Sequence, residues 1–192
     1  MKKALSIMIM FLVAFAITGC GKQKNINKIT DNINDLANKV MNKAKVDDTD
    51  KEYRLSKIDL TTNEINKDNL SDILGITEDE YQKNIEEAIE IKPNDTWSPE
   101  SYVFIKVKDN VNVSKLAEKI VKNTVPTRFG CLRPDVIVGA YYSNIIVLID
   151  SSKDTSEVVL NSFEKIMQNK ITEITRENDW TFSMDDIIDD GE

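Results

Sequence analysis

Val136-Ile137-Val138-Gly139-Ala140-Tyr141-Tyr142-Ser143-Asn144-Ile145-Ile146-Val147-Leu148-Ile149-Asp150 sets two apolar runs of strand length on either side of Ser143-Asn144. Both runs are dominated by β-branched and aromatic side chains, which suit a pleated sheet. A two-residue connection of turn formers between such runs predicts an antiparallel hairpin, with strands over 136–142 and 145–150. Neighbours on a strand face opposite ways, so Tyr141 and Tyr142 cannot both be core. One of them is expected on an outer sheet face, open to a protein partner.

On both sides of the hairpin the period changes to that of a helix. Upstream, 113–125 carries Leu116, Ile120 and Val121 at helical spacing, started by Ser114 and stopped by Pro126. Downstream, 155–168 sets Val158, Val159, Phe163, Ile166 and Met167 on one side of a helix. Earlier strands are read at 102–108 and over Ala88-Ile89-Glu90-Ile91, the latter ending at Pro93. From Ile85 the order is therefore strand, strand, helix, strand, strand, helix. This predicts an α+β fold: a small two-layer sandwich of about four antiparallel strands with two helices on one face, ββαββα and loosely ferredoxin-like.

Before this core, Thr77-Glu78-Asp79-Glu80 matches a capping box, and Asp68 opens a brief helix that Gly75 closes. A short strand is expected from Arg54 to Leu60. Within 20–52, Ile26, Ile29, Ile33, Leu36 and Val40 form an apolar seam on one helical face. The seam fits a helix that pairs with a partner or packs on the domain. It fits equally a marginal helix in a polar tether, since short isolated helices are unstable in water.

The N-terminus reads in three parts: Lys2-Lys3, an apolar run from Ala4 to Ile17, and Thr18-Gly19 before Cys20. This is the layout of a secretory signal, and its apolar run is shorter than the roughly 20 residues of a membrane span. Ile17-Thr18-Gly19-Cys20 resembles the lipobox of bacterial lipoproteins. The resemblance implies cleavage before Cys20 and lipidation of its thiol, with fatty acyl chains such as palmitate. The expected organisation is a signal peptide over 1–19, Cys20 and its tether over 20–52, a globular domain over 53–170 and an acidic tail over 171–192. The expected location is the outer face of the cell membrane, with the bilayer as partner through Cys20.

Composition excludes several chemistries. The chain of 192 residues has no histidine, which removes the commonest general base and zinc ligand. Once Cys20 is lipidated, Cys131 is the only cysteine, so neither an intramolecular disulfide nor a cysteine metal cluster can form. Net charge is −8; without Lys2 and Lys3 the balance is 23 basic against 33 acidic residues, or −10. Such a surface does not bind nucleic acid by neutralising phosphates. No cofactor or catalytic residue is indicated.

The segment from Asp72 to about Ile166 carries Leu74-Gly75-Ile76, Glu78-Asp79-Glu80, the strand from Tyr102, the helix from Val113 and Ile146-Val147-Leu148-Ile149 in succession. With the lipobox, it resembles an uncharacterised family of Gram-positive, clostridial-type lipoproteins carrying a domain of unknown function. The resemblance implies fold and location and brings no activity.

Local motifs add little chemistry. Ser162-Phe163-Glu164-Lys165 matches the Ser-x-x-Lys of penicillin-recognising enzymes, without their further motifs in order. Asp185, Asp186, Asp189 and Asp190 lack the spacing of a calcium loop. Arg128 and Arg133 flank Cys131, which is expected to be a small buried residue among Phe129 and Leu132. The two arginines are the candidate contacts for a small anion, and Tyr141 and Tyr142 those for an envelope protein partner. The leading expectation is a non-enzymatic binding or interaction module at the cell envelope. The alternatives are a small carboxylate-dependent envelope hydrolase and a structural or sporulation-associated envelope component.

Overall fold

The computed structural model describes residues 28–49, 55–95 and 98–176. Cys20, the signal segment and the acidic tail beyond 176 lie outside the described residues.

The chain is α+β, with one open antiparallel sheet. In chain order the elements are α1 (Ile33–Asp47), a 3-10 turn (Leu55–Lys57), β1 (Leu60–Glu64), α2 (Leu70–Leu74), α3 (Glu78–Asn84), β2 (Ile85–Pro93) and β3 (Ser101–Val107). They continue with α4 (Val113–Asn123), a 3-10 turn (Pro126–Phe129), β4 (Val136–Tyr142), β5 (Ile145–Ser151), α5 (Lys153–Met167) and β6 (Thr172–Thr175). The strand order is β1-β2-β3-β5-β4-β6, six strands rather than the expected four. The hairpin forms as read: Tyr142 pairs with Ile145, and Ser143 takes φ 55°, a positive φ of the kind two-residue turns require.

Both faces of the sheet are covered, which corrects the expectation of two layers with the helices on one face. Along β5, Ile145, Val147 and Ile149 join the core formed by α1 and α5, including Leu36, Val40, Val159 and Phe163. Ile146 and Leu148 join the core of α2 and α4, including Leu74, Leu116, Ile120 and Val121. Topology explains the arrangement. β3 and β4 lie parallel with β5 between them, linked by α4; β5 and β6 lie parallel with β4 between them, linked by α5. Both crossovers step the same way across the sheet, but they start from strands of opposite direction. Crossovers of one hand must then place their helices on opposite faces. In the ferredoxin-like layout the last strand would return beside the first. Here β2 already holds that edge of β3, so β6 pairs on β4 instead.

The body also extends beyond 53–170. α1 is capped by the Asn32 side chain and buries Ile33, Leu36, Ala37, Val40, Met41 and Ala44, so the apolar seam packs on the domain. β6 falls inside the segment read as tail. Where a strand was expected from Arg54 to Leu60, Leu55–Lys57 form the 3-10 turn and the strand begins only at Leu60, while Arg54 lies outside the described residues.

Residues 28–31 are pinned to the hairpin end of the sheet. The Ile29 backbone N–H donates to Asn144 Oδ1 at 2.8 Å, and Asn144 Nδ2 donates back to the Ile29 carbonyl at 3.2 Å. Lys106 Nζ reaches the Asp31 carbonyl at 3.3 Å, and Lys28 pairs with Asp109 at 2.9 Å. Asn144→Ala removes both Ile29 bonds at a buried side chain. The expected loss is about 1–3 kcal/mol, with faster tryptic cleavage after Lys28. An unchanged cleavage rate and urea midpoint would contradict this role.

Candidate functional site

The ends of the central strands opposite the hairpin frame a cleft. It opens where β2 ends, β3 and β4 begin, and β5 passes into α5. Its volume is about 740 Å³, and its lining includes Asp95, Glu100, Arg133, Asp135, Asp154 and Thr155. α5 enters this rim because Ser152 caps it, its Oγ accepting the Thr155 N–H at 3.2 Å. Asp154 occupies the first turn, where the helix dipole favours a negative charge.

Glu100 is held in the cleft by two hydrogen bonds. Tyr102 donates its hydroxyl to Glu100 Oε2 at 3.1 Å, and Ser151 Oγ donates to Oε1 at 3.2 Å. Burial raises the proton affinity of Glu100 above the usual carboxylate range. The two hydrogen bonds oppose that shift, while Asp95 and Asp48 reinforce it.

Near the same end, on the α4 face, lies a buried charge cluster. Arg128 Nη1 donates to Glu90 Oε1 at 2.6 Å and Nη2 to Asp150 Oδ2 at 2.6 Å. Ser101 Oγ donates to the same Glu90 oxygen at 2.7 Å, and the guanidinium stacks 4.3 Å from the Phe129 ring. All three charged side chains are buried, at 9% exposure or less. Burial pushes the Asp150 carboxyl upward despite Arg128, with the Glu90 charge adding to the push. Burial opposes the Arg128 charge, but the two carboxylates outweigh it and hold its proton more tightly. The cluster fixes the 3-10 turn 126–129 against the sheet.

The predicted contact residues are thus dispersed. Arg128 is engaged by Glu90 and Asp150, so it does not form an anion clamp with Arg133. Arg133 lines the cleft and donates to the Gly130 and Leu132 carbonyls. Cys131 is free and exposed, contrary to the expected burial, in the connection from the 3-10 turn to β4 where Gly130 and Leu132 are exposed too. Tyr141 and Tyr142 are both half-buried, on the α4 side and the α1/α5 side respectively. No open sheet face remains for either, since helices cover both. Sequence reasoning missed Asp95 and Glu100 in the β2–β3 connection, Asp135 just before β4 and Asp154 in the first turn of α5, which share no motif. Pro93, Pro99 and Pro134 marked those connections as turns.

Among the described residues no group of three or more His, Cys, Asp or Glu could hold a metal ion, and no helix is long and apolar enough to cross a membrane. No protein-family model, curated protein or solved structure matches this chain.

Proposed function

We propose that this chain is a lipoprotein of the uncharacterised Gram-positive type, anchored through Cys20 at the outer face of the cell membrane, whose domain is a non-enzymatic binding module. The lipobox-like Ile17-Thr18-Gly19-Cys20 supports the anchor. The observation that carries the binding reading is the 740 Å³ cleft. Its carboxylates come from the β2–β3 connection, the approach to β4 and the first turn of α5, so a ligand in the cleft meets acids from more than one element. A ligand carrying an amino group suits such walls, with Arg133 available to a carboxylate on the same molecule.

The test is thermal unfolding with a lysine tripeptide or a glutamate tripeptide as probe, on the wild type and on Asp135→Asn/Asp154→Asn. The lysine peptide is expected to raise the wild-type Tm and to lose that effect in the double variant, while the glutamate peptide does neither. The variant removes only two charges, so general attraction to an acidic protein would leave the shift intact. An equal shift in both proteins would contradict a cleft-based site.

One observation favours a second reading, the carboxylate-dependent envelope hydrolase. Glu100 holds its proton more tightly than an ordinary carboxyl, as a general acid does. Glu100→Gln keeps an acceptor for Tyr102 and Ser151 but cannot transfer a proton. Retained peptide binding with loss of any peptidase or glycosidase turnover would select the enzyme.

A further inference from the structure

We infer that the domain stands on its hairpin end, with the Ser143-Asn144 turn towards the bilayer and the cleft opening away from it. The inference rests on the lipid anchor proposed above and adds an orientation to it. The argument begins at Lys28. Residues 21–27 separate it from Cys20, and eight Cα steps span no more than about 28 Å even when fully extended. The first described residues do not run along the domain towards the cleft. They are fastened at one end by the reciprocal Ile29–Asn144 bonds, by Lys106 to the Asp31 carbonyl, and by Lys28 to Asp109 and Glu86.

The cleft lies at the other end of the same strands. β5 begins beside Asn144 and ends at Ser151, next to the cleft residue Ser152. Six residue steps at about 3.4 Å make that separation roughly 20 Å. The hairpin end carries Lys28, Lys108 and Lys170 beside Asp31, Glu86 and Asp109, so the orientation follows from where the tether is fastened and not from charge. The far end therefore presents its carboxylates to the extracellular medium, where a soluble or wall-borne ligand has access.

Cys131 offers a built-in probe, since it is exposed, lies in the connection leading to the cleft residue Arg133, and is the only thiol left after lipidation. Lys170, exposed between α5 and β6, marks the hairpin end, where Thr172 pairs with Tyr141. The experiment uses the full lipidated protein in vesicles of phosphatidylcholine and phosphatidylglycerol. A thiol-reactive fluorophore is placed on Cys131, or on Lys170→Cys in a Cys131→Ser background, and a headgroup-attached acceptor quenches it. Given the strand-length separation of ~20 Å, quenching at position 170 is expected to exceed that at Cys131 by roughly two- to threefold. Equal quenching, or stronger quenching at Cys131, in protein that sediments with the vesicles would overturn the orientation alone. Protein that fails to sediment with the vesicles would overturn the anchor, and the orientation with it.

Discussion

Arg128→Met is expected to lose about 3–5 kcal/mol of folding stability at pH 7, because it strands two buried carboxylates. Glu90 and Asp150 are 3% and 1% exposed, and Arg128 supplies each with its shortest cation contact. Lys92 stands 3.8 Å from Glu90, but it is nearly half exposed and a weak substitute. The deficit should shrink as pH falls. The Asp150 carboxyl already lies above its ordinary range in the folded protein. A raised folded pKa adds stability below the unfolded value, and that stability is lost as pH rises through the folded value. Removing Arg128 raises the folded value further, so acidification recovers more in the variant than in the wild type. Urea unfolding at pH 7.5 and pH 5 measures both. A triple variant with Glu90→Gln and Asp150→Asn should regain much of the loss even at pH 7.5. A pH-independent deficit would mean that lost packing on Phe129, rather than stranded charge, is responsible.

The second large effect is expected at Gly75→Ala, at about 3 kcal/mol from backbone strain and steric conflict together. Gly75 ends α2 at φ 61°, and an added Cβ would lie 2.3 Å from the backbone carbon and oxygen of Asn123. Those atoms end α4, so α2 and α4 would have to separate. Thr124 Oγ1 donates to the Ile73 carbonyl at 2.7 Å across that junction and would be disturbed with it. Gly130 also has a positive φ, of 73°, and its added Cβ would meet nothing within 4 Å, but its ψ of −121° lies outside the left-handed region of Gly75, so the two backbone costs differ. The left-handed conformation alone costs an alanine about 1–2 kcal/mol. A loss at Gly75→Ala no larger than that, measured by urea midpoint, would contradict the close approach of α2 to α4.

The elements with strong periodicity were legible from the sequence: the hairpin, the strand from Tyr102, α4 and α5. Local chemistry was legible too. Thr77 and Glu80 form the reciprocal capping box, and Gly75 closes α2 in the left-handed conformation. What was misjudged was arrangement. Ile145 through Ile149 is an unbroken apolar run, the mark of a strand buried on both faces. Weighed against the economy of a two-layer core, it would have placed helices on both sides. β6 was hidden because Thr172-Glu173-Ile174-Thr175 is an edge strand, and its exposed polar residues resemble a solvated tail. The seam of α1 was visible, but its partner was not. Leu36 and Val40 meet β3 and α5 only through tertiary packing, with β3 more than 60 and α5 more than 110 residues further along the chain.

The candidate site was illegible for a related reason. Strong local features drew attention to Arg128, Arg133 and the paired tyrosines, and packing employs most of them internally. Arg128 balances buried carboxylates, and the tyrosines flank the two cores. The cleft acids are scattered over residues 95–154 and converge only because the antiparallel sheet brings the β2–β3 connection, the approach to β4 and the start of α5 to one end. Convergence of that kind has no signature in linear spacing. It does place the cleft on the rigid rim of a six-stranded sheet, a suitable support for a preorganised binding site.

An amide-resolved NMR titration with the lysine tripeptide tests the binding reading most directly, using the chain from residue 20 onward with Cys20→Ser. The account predicts shifts concentrated at Ser98, Glu100, Asp135 and the first turn of α5, weakening as pH falls and Glu100 takes up its proton. Shifts spread evenly over the acidic surface, or confined to the hairpin end, would contradict the cleft as the binding site.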